Sequence, residues 1–382
     1  MESTRTAMHV ENAAIPNSRS NNEKKPRIIF HVDMDYFFAQ CEEREHPEIK
    51  GKPVVICVYS GRGGDSGAVS TSNYEARKFG IRAGIPISRA KKLAPDAIFL
   101  PVNMELYHSI SDDVMEILKG YSDKIEQESI DEAFCDLTEK VTDFDEAKTL
   151  AMRLKEEIKQ KVGLSCSVGI GPNKLVAKIA SDHNKPDGLT VVRPEEVLDF
   201  LGPLKITDLI GVGKKTGERL NELGVKNIAD LSKLTTDALI REFGHAKGIW
   251  LKQASQGIDD SPVKERSGTG QIGRIITLKE NTNDLNTIFD AVDKISNDIH
   301  MKLQARKLSF RSVSFIAISS DFKIHTKSHT LSASAKDPGT IKTYVHELVK
   351  AFLAEHPVAL RRVGIRVANL EEEKGQRTLG EF

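Results

Sequence analysis

Apolar and polar residues alternate along the chain with two different periods, that of strands and that of helices. Short apolar runs at 27–32 and 52–59 predict strands, and apolar residues that alternate with serine and glycine predict another at 164–170. Apolar residues that recur every four positions predict a helix over 146–162, and a further helix follows at 174–183. Shorter helices are predicted at 36–45, 72–79, 85–93 and 107–118. This mixture indicates an α+β domain in the first half of the chain.

The second half of the chain divides into a helical region and a separate small domain. Residues 204–256 are mostly helical in pattern, and 257–270, with Gly, Pro, Asp and charged residues, is a predicted linker. The segments that follow are predicted as strand, helix, strand, strand, helix and strand, at 271–279, 284–305, 310–319, 323–333, 337–354 and 360–369. This β-α-β-β-α-β order is typical of a small independent α+β domain.

One predicted strand, IEQESIDEAFCDL at 125–137, carries five acidic residues although acidic residues are poor strand formers. On an ideal strand Asp131 and Glu132 point to opposite faces, so the strand must twist, bulge or end there if both side chains reach one site. Asp33 also follows a predicted strand. Carboxylates that converge from two strands would suit Mg²⁺, which prefers oxygen ligands. Taken on spacing alone, such acidic pairs are more often solvated surface.

Charge is distributed unevenly along the 382 residues, a length that corresponds to two or three domains. Lys and Arg number 55 and Asp and Glu number 55, so there is no global basic field. Between Lys264 and Arg366, however, 17 basic residues stand against 10 acidic ones. A local surplus of this kind is typical of a nucleic-acid-binding module, and also of a lysine-decorated soluble surface.

Composition excludes several other classes of protein. The four cysteines are scattered without a Cys-x-x-Cys pair, so neither a zinc site nor a disulfide framework is predicted. There is no run of 18 apolar residues and no apolar signal core at the N-terminus, so no membrane partner and a cytoplasmic, reducing location are expected. Residues 1–26, rich in Asn, Ser, Glu and Lys, are predicted to be a disordered extension.

A series of motifs, spread from about residue 27 to about residue 370, resembles the Y-family of translesion DNA polymerases, and within it the DinB branch in its archaeal form. The motifs are VDMDYFFAQCEE (32–43), KGKPVVI (50–56), SGAVSTSNYEARKFGIRAGIP (66–86), SIDEAF (129–134), SVGIGPNKLVAKIASDHNKPDG (167–188) and a helix-hairpin-helix (209–225). The combination of SIDEA, YEARKFGI and NKPDG at these spacings is specific.

The resemblance implies an α+β, multidomain fold with the right-hand architecture of a polymerase. Its parts would be the palm (27–36 and 103–192), the fingers (37–102), a helical thumb with the helix-hairpin-helix (193–256), the linker (257–270), a βαββαβ little finger (271–370) and a tail (371–382). The palm would carry the chemistry, and the other parts would hold DNA and nucleotide.

The resemblance assigns the acidic residues to metal binding. Asp33, Asp131 and Glu132, joined by the main-chain carbonyl of Met34, would bind two Mg²⁺ ions, for which Mn²⁺ is a possible substitute. Many relatives have Phe where this chain has Met34, but only the carbonyl group is needed. From the spacing of the residues, Asp35 is expected to cap the helix that begins at Tyr36.

Nucleotide contacts follow from the same motifs. Tyr74, Arg77 and Lys185 match triphosphate contacts, and Tyr74 and Arg77 are three residues apart, so they share a helix face. Further nucleotide contacts are implied at Phe37, at Phe38 as a steric gate against the ribose 2′-hydroxyl, and, as a weaker assignment, at Arg62. Without the family match, Arg77 would be a surface ion pair and both phenylalanines core residues. Ser72 or Asn73 is expected to cap the helix that carries Tyr74.

Contacts with DNA are implied at the hairpin, where Gly211 and Gly213 flank a tight turn and Lys214 begins the next helix. A hairpin used only for packing is the alternative. The little finger would add backbone contacts that weaken with salt. Its candidate residues are Arg274, Lys279, Arg306, Lys307, Arg311, Lys336 and Arg366.

The last residues, QRTLGEF, match the start of a Q-x-x-L-x-x-F peptide that binds sliding clamps of the archaeal and eukaryotic type. The matching residues are Gln376, Leu379 and Phe382, and the printed sequence ends before the second aromatic residue of that motif. A frayed polar tail is the alternative.

The function that the resemblance implies is that of a DNA-directed DNA polymerase, acting as a monomer on primer–template DNA and dNTPs. Low fidelity, low processivity and synthesis past damaged bases are expected with it. Two rivals stay open. A nucleotidyl cyclase or another two-metal enzyme would not need the helix-hairpin-helix or the basic C-terminal domain. A catalytically silent DNA scaffold would be expected to lack one of the three carboxylates, and all three are present.

Overall fold

Three β-sheets organise the part of the chain that the computed structural model describes, residues 25–265 and 270–372. The strands are β1 (Ile29–Met34), β2 (Val54–Tyr59), β3 (Gly67–Ser72), β4 (Ile98–Pro101), β5 (Ile125–Gln127), β6 (Glu132–Asp136), β7 (Cys166–Gly171), β8 (Leu189–Val191), β9 (Gln271–Thr282), β10 (Leu308–Ser319), β11 (Ile324–Ala335) and β12 (Leu360–Glu372).

The helices lie between these strands and in one all-helical segment. They are α1 (Phe37–Glu45), α2 (Tyr74–Lys78), α3 (Ile87–Leu93), α4 (Met104–Lys119), α5 (Phe144–Val162), α6 (Lys174–His183), α7 (Val197–Leu201), α8 (Lys214–Glu222), α9 (Ile228–Lys233), α10 (Thr236–Phe243), α11 (His245–Ser255), α12 (Leu285–Ala305) and α13 (Pro338–Glu355). Short 3-10 helices occur at Pro47–Ile49, Pro194–Glu196 and Ile206–Asp208. No described helix is both long and apolar enough to cross a membrane.

The central sheet has the order β5-β6-β1-β7-β8, and β1 pairs antiparallel with both β6 and β7. Every residue of β1 is buried, which explains its unbroken apolar run. On one face Phe30 and Val32 join the main core with α1, α4 and α5. Residues of the other face, His31 among them, lie under α6, which packs against β1 and β7. The alternation of a strand thus divides β1 between a core face and a face covered by α6.

A second, three-stranded sheet with the order β3-β2-β4 is attached to the central part. Its small core includes Val55 and Val69 and is closed by Ile87 of α3. The helical segment α7–α11 forms a further core, which includes residues of α6 such as Val176 and Ile179. The back of α6 therefore packs on the helical segment while its front covers β1.

The C-terminal part is a four-stranded antiparallel sheet in the order β11-β10-β12-β9, with α12 and α13 packed against it. Its core is separate from the others and includes Phe310, Phe315 and Phe352. The predicted order β-α-β-β-α-β is confirmed, and the predicted ends of its elements agree with the structure to within about three residues, because long periodic segments give strong signals.

Two local predictions are wrong. Segment 125–137 is not one strand: β5 ends at Gln127, β6 begins at Glu132, and the chain turns between them, where the N–H groups of Glu128 and Ser129 both donate to the Glu132 carbonyl. Asp35 does not cap α1, whose N-cap is Tyr36 without a side-chain cap bond. The prediction also contained no β3, β4 or β8, which are short or lack large apolar residues.

Candidate active site

The three predicted acidic ligands meet at one end of the β1–β6 pair. Asp33 and Glu132 are direct partners in the antiparallel register, and the Met34 N–H donates to the Asp131 carbonyl over 3.0 Å. Asp131 precedes β6, so the alternation that would have sent it to the opposite face does not apply there. The Ser129 hydroxyl, 2.5 Å from Asp131 Oδ1, holds that carboxylate in the turn. The end of the strand places the three residues side by side in the backbone, and the charge of Glu132 acts on both aspartates.

Two lysines lie against these carboxylates. Lys185 Nζ is 2.5 Å from Asp33 Oδ2, and Lys178 Nζ is 2.8 Å from Glu132 Oε2. Burial raises the pKa of Asp33 to about 8, against the lowering effect of Lys185, and burial followed by the charge of Glu132 raises the pKa of Asp131. Carboxylates crowded together away from water are stabilised by cations. This oxygen-rich, desolvated set offers the ligand atoms that hard divalent metal ions prefer.

The predicted triphosphate contacts also lie close together. The Arg77 guanidinium is 4.6 Å from the centre of the Tyr74 ring. Burial raises the pKa of Tyr74, and the charges of Arg77 and Lys185 oppose that rise, so these charges are within electrostatic reach of the phenol. Tyr36, next to the carboxylates, contacts the Tyr74 ring edge to face. Asn73 caps α2 as predicted, because its side chain accepts from the Ala76 N–H.

Asp35 has a role that sequence reasoning missed. Its carboxylate accepts hydrogen bonds at 2.8 Å from Ser165 Oγ, Ser167 Oγ and the Asp187 N–H. The first two tie Asp35 to the start of β7, and the third ties it to the loop that carries Lys185. Asp35 thus fixes the Lys185 loop beside the end of β1. Partners about 130 residues away give no local sequence signal.

The two phenylalanines of α1 differ in burial. Phe37 is 2% exposed and belongs to the core, so a nucleotide contact of this residue would have to come from its main chain. Phe38 is partly exposed, and its ring stacks on Tyr107 at 4.3 Å between centroids and 13° between planes. Phe38 also packs against the main core from its partly exposed position.

Arg62 is engaged elsewhere. Its Nε donates to the Leu278 carbonyl over 2.6 Å, and a second guanidinium nitrogen is 3.4 Å from the Arg361 carbonyl. Both carbonyls belong to the C-terminal sheet. A contact of Arg62 with a template or incoming base would require the guanidinium to leave these carbonyls.

The predicted hairpin at Gly211 and Gly213 precedes α8. Gly211 has φ +91°, and Gly213 is the N-cap of α8 without a side-chain cap bond. No side chain caps the first N–H groups of α8, and Lys214 beside them is exposed, which is the arrangement that a phosphate contact needs. Lys247 closes the hairpin from the other side by donating to the Gly211 carbonyl over 2.7 Å, with its ammonium above the Trp250 ring.

Replacing Gly211 by alanine is expected to lower the midpoint of thermal unfolding by roughly 2–8 °C, because the left-handed conformation costs about 1–2 kcal/mol for other residues. A Cβ there would also lie 2.8 Å from the Trp250 ring. Fluorescence of Trp250, the one tryptophan of the sequence, reports the unfolding of this segment. Gly213→Ala is the matched control, because a Cβ at Gly213 meets nothing within 4 Å. Equal shifts in both variants would contradict the expected strain.

Replacing Arg77 by glutamine is expected to raise the KM for the incoming dNTP roughly 10–100-fold, since a hydrogen bond to a charged group contributes about 1.5–3 kcal/mol. Steady-state incorporation of a single nucleotide measures it. Lys78→Gln, on the same helix but exposed and paired with Glu75, is the control and should leave KM unchanged. An unchanged KM in Arg77→Gln would remove Arg77 from the triphosphate contacts.

A partly buried polar cluster beside the carboxylates was also missed by sequence reasoning. His31 of β1 is fully buried, and burial lowers its pKa. Glu128 lies in the turn before β6, where Lys178 Nζ is 2.7 Å from its Oε2.

Lys155 similarly connects β7 and the Lys185 loop, because its Nζ donates to the Cys166 carbonyl and pairs with Asp187. These are contacts between distant segments, and no motif marks them.

Comparison with known proteins gives the same order of parts. The impB/mucB/samB family matches residues 32–182, its C-terminal domain matches 270–380, and the thumb domain described for DNA polymerase-iota matches 207–259. DNA polymerase IV of Methanosarcina acetivorans is 50% identical over 93% of this chain and 99% of its own length. DNA polymerase IV of Nitrosopumilus maritimus is 43% identical, with 93% and 99% covered.

Solved structures of similar proteins point to the same family. A Y-family DNA polymerase chimera, Dbh-Dpo4(243-245)-Dbh, is 38% identical, with a TM-score of 0.86 over 90% of this chain and 99% of that one. An insertion ternary complex of Dbh DNA polymerase is also 38% identical, with a TM-score of 0.66 over the same shares. The chain belongs to the Y-family DNA polymerases and is a DNA-directed DNA polymerase. The predicted family and fold class are confirmed, the nucleotidyl cyclase alternative is wrong, and the enzymes of this family are metal-dependent.

Proposed function

We propose that this polymerase is a translesion enzyme, which extends primers past damaged template bases with low fidelity and low processivity. The observation that carries the proposal is that Asp33, Asp131 and Glu132 lie at one strand end, while Tyr74 and Arg77 form a second group that the charge of Lys185 also reaches. The first group would hold metal ions, and the second would hold the triphosphate. A primer 3′-hydroxyl would attack the α-phosphorus of the dNTP and release pyrophosphate.

The site residues divide the work of phosphoryl transfer. The three carboxylates and the Met34 carbonyl would hold two Mg²⁺ ions, or Mn²⁺ in their place, which when bound activate the hydroxyl group and offset the charge of the transferred phosphate. Arg77 would fork onto phosphate oxygens, and Lys185 would leave Asp33 to pair with the triphosphate. Asp35 keeps the Lys185 loop in reach throughout. Positioning and electrostatic stabilisation supply the rate, as in phosphoryl transfer generally.

The proposed division into parts follows the sheets and helices. The central sheet would be the palm, the three-stranded sheet the fingers, α7–α11 the thumb and the C-terminal sheet the little finger, with the limits given by the sequence. The thumb would grip the duplex backbone through Gly211, Gly213 and Lys214. The little finger would add basic contacts, so affinity for DNA should fall as salt rises, without dependence on sequence. We propose that the enzyme acts as a monomer.

The proposed clamp-binding residues Gln376, Leu379 and Phe382 lie outside the described residues. Deleting 376–382 is expected to abolish binding to a sliding clamp of the archaeal and eukaryotic type and the processivity that the clamp adds. Clamp-free primer extension should stay unchanged, because the tail is remote in sequence from the site motifs. The measurement is product length on a primed circular template with and without clamp. Equal clamp stimulation of the full and shortened chains would refute this peptide.

Primer extension tests the proposed function directly. The assay uses one undamaged template and one with an abasic site, Mg²⁺ and all four dNTPs, with the double variant Asp131→Ala/Glu132→Ala as control. Short products that pass the lesion and vanish in the control support a distributive translesion polymerase. Extension that stops at the lesion contradicts the translesion part. No extension by a wild type that still binds DNA would favour the silent scaffold.

A further inference from the structure

A second group of potential metal ligands lies on the α6 side of the carboxylate site. His31, Glu128 and Glu132 each offer one ligand atom, and these atoms all lie within 4.8 Å of one another. The group differs from the proposed Mg²⁺ set, because it contains an imidazole and shares only Glu132 with it. Mg²⁺ prefers oxygen ligands, whereas imidazole is a good ligand for Zn²⁺ and neighbouring transition metals.

The hydrogen bonds of His31 leave its Nε2 as the atom with a free lone pair. His31 Nδ1 is 2.7 Å from Ser181 Oγ, and the Ser181 hydroxyl already donates to the Lys178 carbonyl over 2.7 Å. Nδ1 must therefore donate its proton to Ser181. Nε2 then carries no proton in the neutral ring, and a histidine whose other nitrogen donates is the usual arrangement at metal sites.

This lone pair has no partner in the described structure. His31 is fully buried, and its Nε2 has no hydrogen bond among the described residues. The nearest acidic atom, Glu128 Oε2, is 3.8 Å away, beyond hydrogen-bond distance. A buried acceptor without a donor costs free energy, and a metal ion between His31 and the two carboxylates would remove that cost.

A cation already occupies the neighbouring position. Lys178 Nζ is 2.7 Å from Glu128 Oε2 and 2.8 Å from Glu132 Oε2. The structure thus holds one positive charge between two carboxylates, next to an imidazole that this ammonium does not contact. A divalent ion would match both carboxylates and add the nitrogen ligand. Lys178 would then have to leave.

A cleft next to Lys178 has room for its displaced side chain. Glu128 and Lys178 line a cleft of about 530 Å³ between α6 and the helical segment, whose wall also includes Phe134 and Trp250. The cleft would give an ion a path from solvent to Glu128. The carboxylates of Asp259 and Asp260, which also line it, offer the displaced ammonium a new counter-charge.

We propose that His31, Glu128 and Glu132 form a binding site for a borderline transition metal ion of the Zn²⁺ class, which enters by displacing Lys178. Binding would take Glu132 away from Asp33 and Asp131 and so inhibit DNA synthesis. The site itself stands without the proposed function. Its inhibitory effect rests on the role of Glu132 in that function.

Metal binding is measured on the full-length chain with Co²⁺ as a spectroscopic probe and Zn²⁺ as competitor, in excess Mg²⁺. His31→Phe, which places a second ring beside Phe134, is expected to weaken binding at least about 10-fold, and Glu128→Gln to do the same without changing the imidazole. Lys178→Met removes the competing ammonium and should strengthen binding. Weaker metal binding in His31→Phe and Glu128→Gln, together with stronger binding in Lys178→Met, would support the site. Equal affinity of wild type, His31→Phe and Glu128→Gln would overturn it.

Inhibition is measured separately, as the Zn²⁺ dependence of Mg²⁺-supported primer extension. Wild type is expected to be inhibited at Zn²⁺ concentrations at least about 10-fold lower than His31→Phe or Glu128→Gln, in line with the loss of one ligand. Both variants should extend primers normally without Zn²⁺, because neither residue belongs to the proposed Mg²⁺ set. Equal Zn²⁺ sensitivity, with Co²⁺ binding altered as above, would overturn the inhibitory role. Loss of all extension by wild type would instead count against the proposed function.

Discussion

Glu132→Gln is expected to lower the rate of nucleotide incorporation at least about 10³-fold while DNA affinity stays nearly unchanged. The substitution keeps the shape of the side chain and removes one negative charge from the end of β6, where Glu132 faces Asp33. Lys178, which pairs with Glu132, keeps Glu128 as a second partner, so no buried ammonium is left without a counter-charge. The expected loss is therefore one of metal binding and catalysis rather than of folding.

Single-turnover incorporation at saturating dNTP measures this loss, and a DNA-binding titration with the same primer–template shows whether the duplex is still held. Glu139→Gln is the matched control, because Glu139 is exposed in the turn after β6 and the substitution is chemically identical. We expect the control to behave as wild type. A Glu132→Gln enzyme within about tenfold of wild type would mean that this carboxylate is not a metal ligand in the reaction.

The carboxylates at the end of β1 and β6 show how much of the site could be predicted from the sequence. The association of Asp33 with the SIDEAF motif could be predicted from the family resemblance, whereas spacing alone favoured a solvated surface. The turn between β5 and β6 could not be predicted, because an unbroken strand over 125–137 was the simplest interpretation of the pattern. Ser129 interrupts the strand with a turn. Its hydroxyl donates a hydrogen bond to the Asp131 carboxylate and accepts one from the Asp131 N–H. Local side-chain bonds of this kind compete with a strand ladder.

Asp35 shows a second limit of prediction from the sequence. An aspartate just before a helix is a good N-cap by local rules, and those rules see only a few neighbouring residues. In the structure both oxygens of Asp35 are taken by Ser165 and Ser167 of a distant segment and by the Asp187 N–H. Tertiary contacts outweigh the local preference there. The same holds for His31 and Lys178, whose partners are 46 to 150 residues away.

Replacing Phe38 by alanine is expected to raise the incorporation of ribonucleotides relative to deoxyribonucleotides at least about 10²-fold. The Phe38 ring is partly exposed and stacks on Tyr107 with only 13° between the planes. Tyr107 is itself fully buried and bonded to Glu42, so it holds the Phe38 ring against rotation. A ring fixed in this way would exclude a 2′-hydroxyl by its bulk. Competitive single-nucleotide insertion measures the ratio.

Phe37→Leu separates this effect from a general loosening of α1. Phe37 is adjacent in sequence but buried in the core, so the substitution should cost stability and leave the discrimination between the two sugars intact. Deoxyribonucleotide incorporation should fall little in Phe38→Ala, because the alanine removes a barrier and no charged contact. If Phe38→Ala discriminated as wild type does, exclusion of the 2′-hydroxyl would have to come from another group. If both variants lost discrimination equally, the position of α1, and not the Phe38 ring, would be what excludes the ribonucleotide.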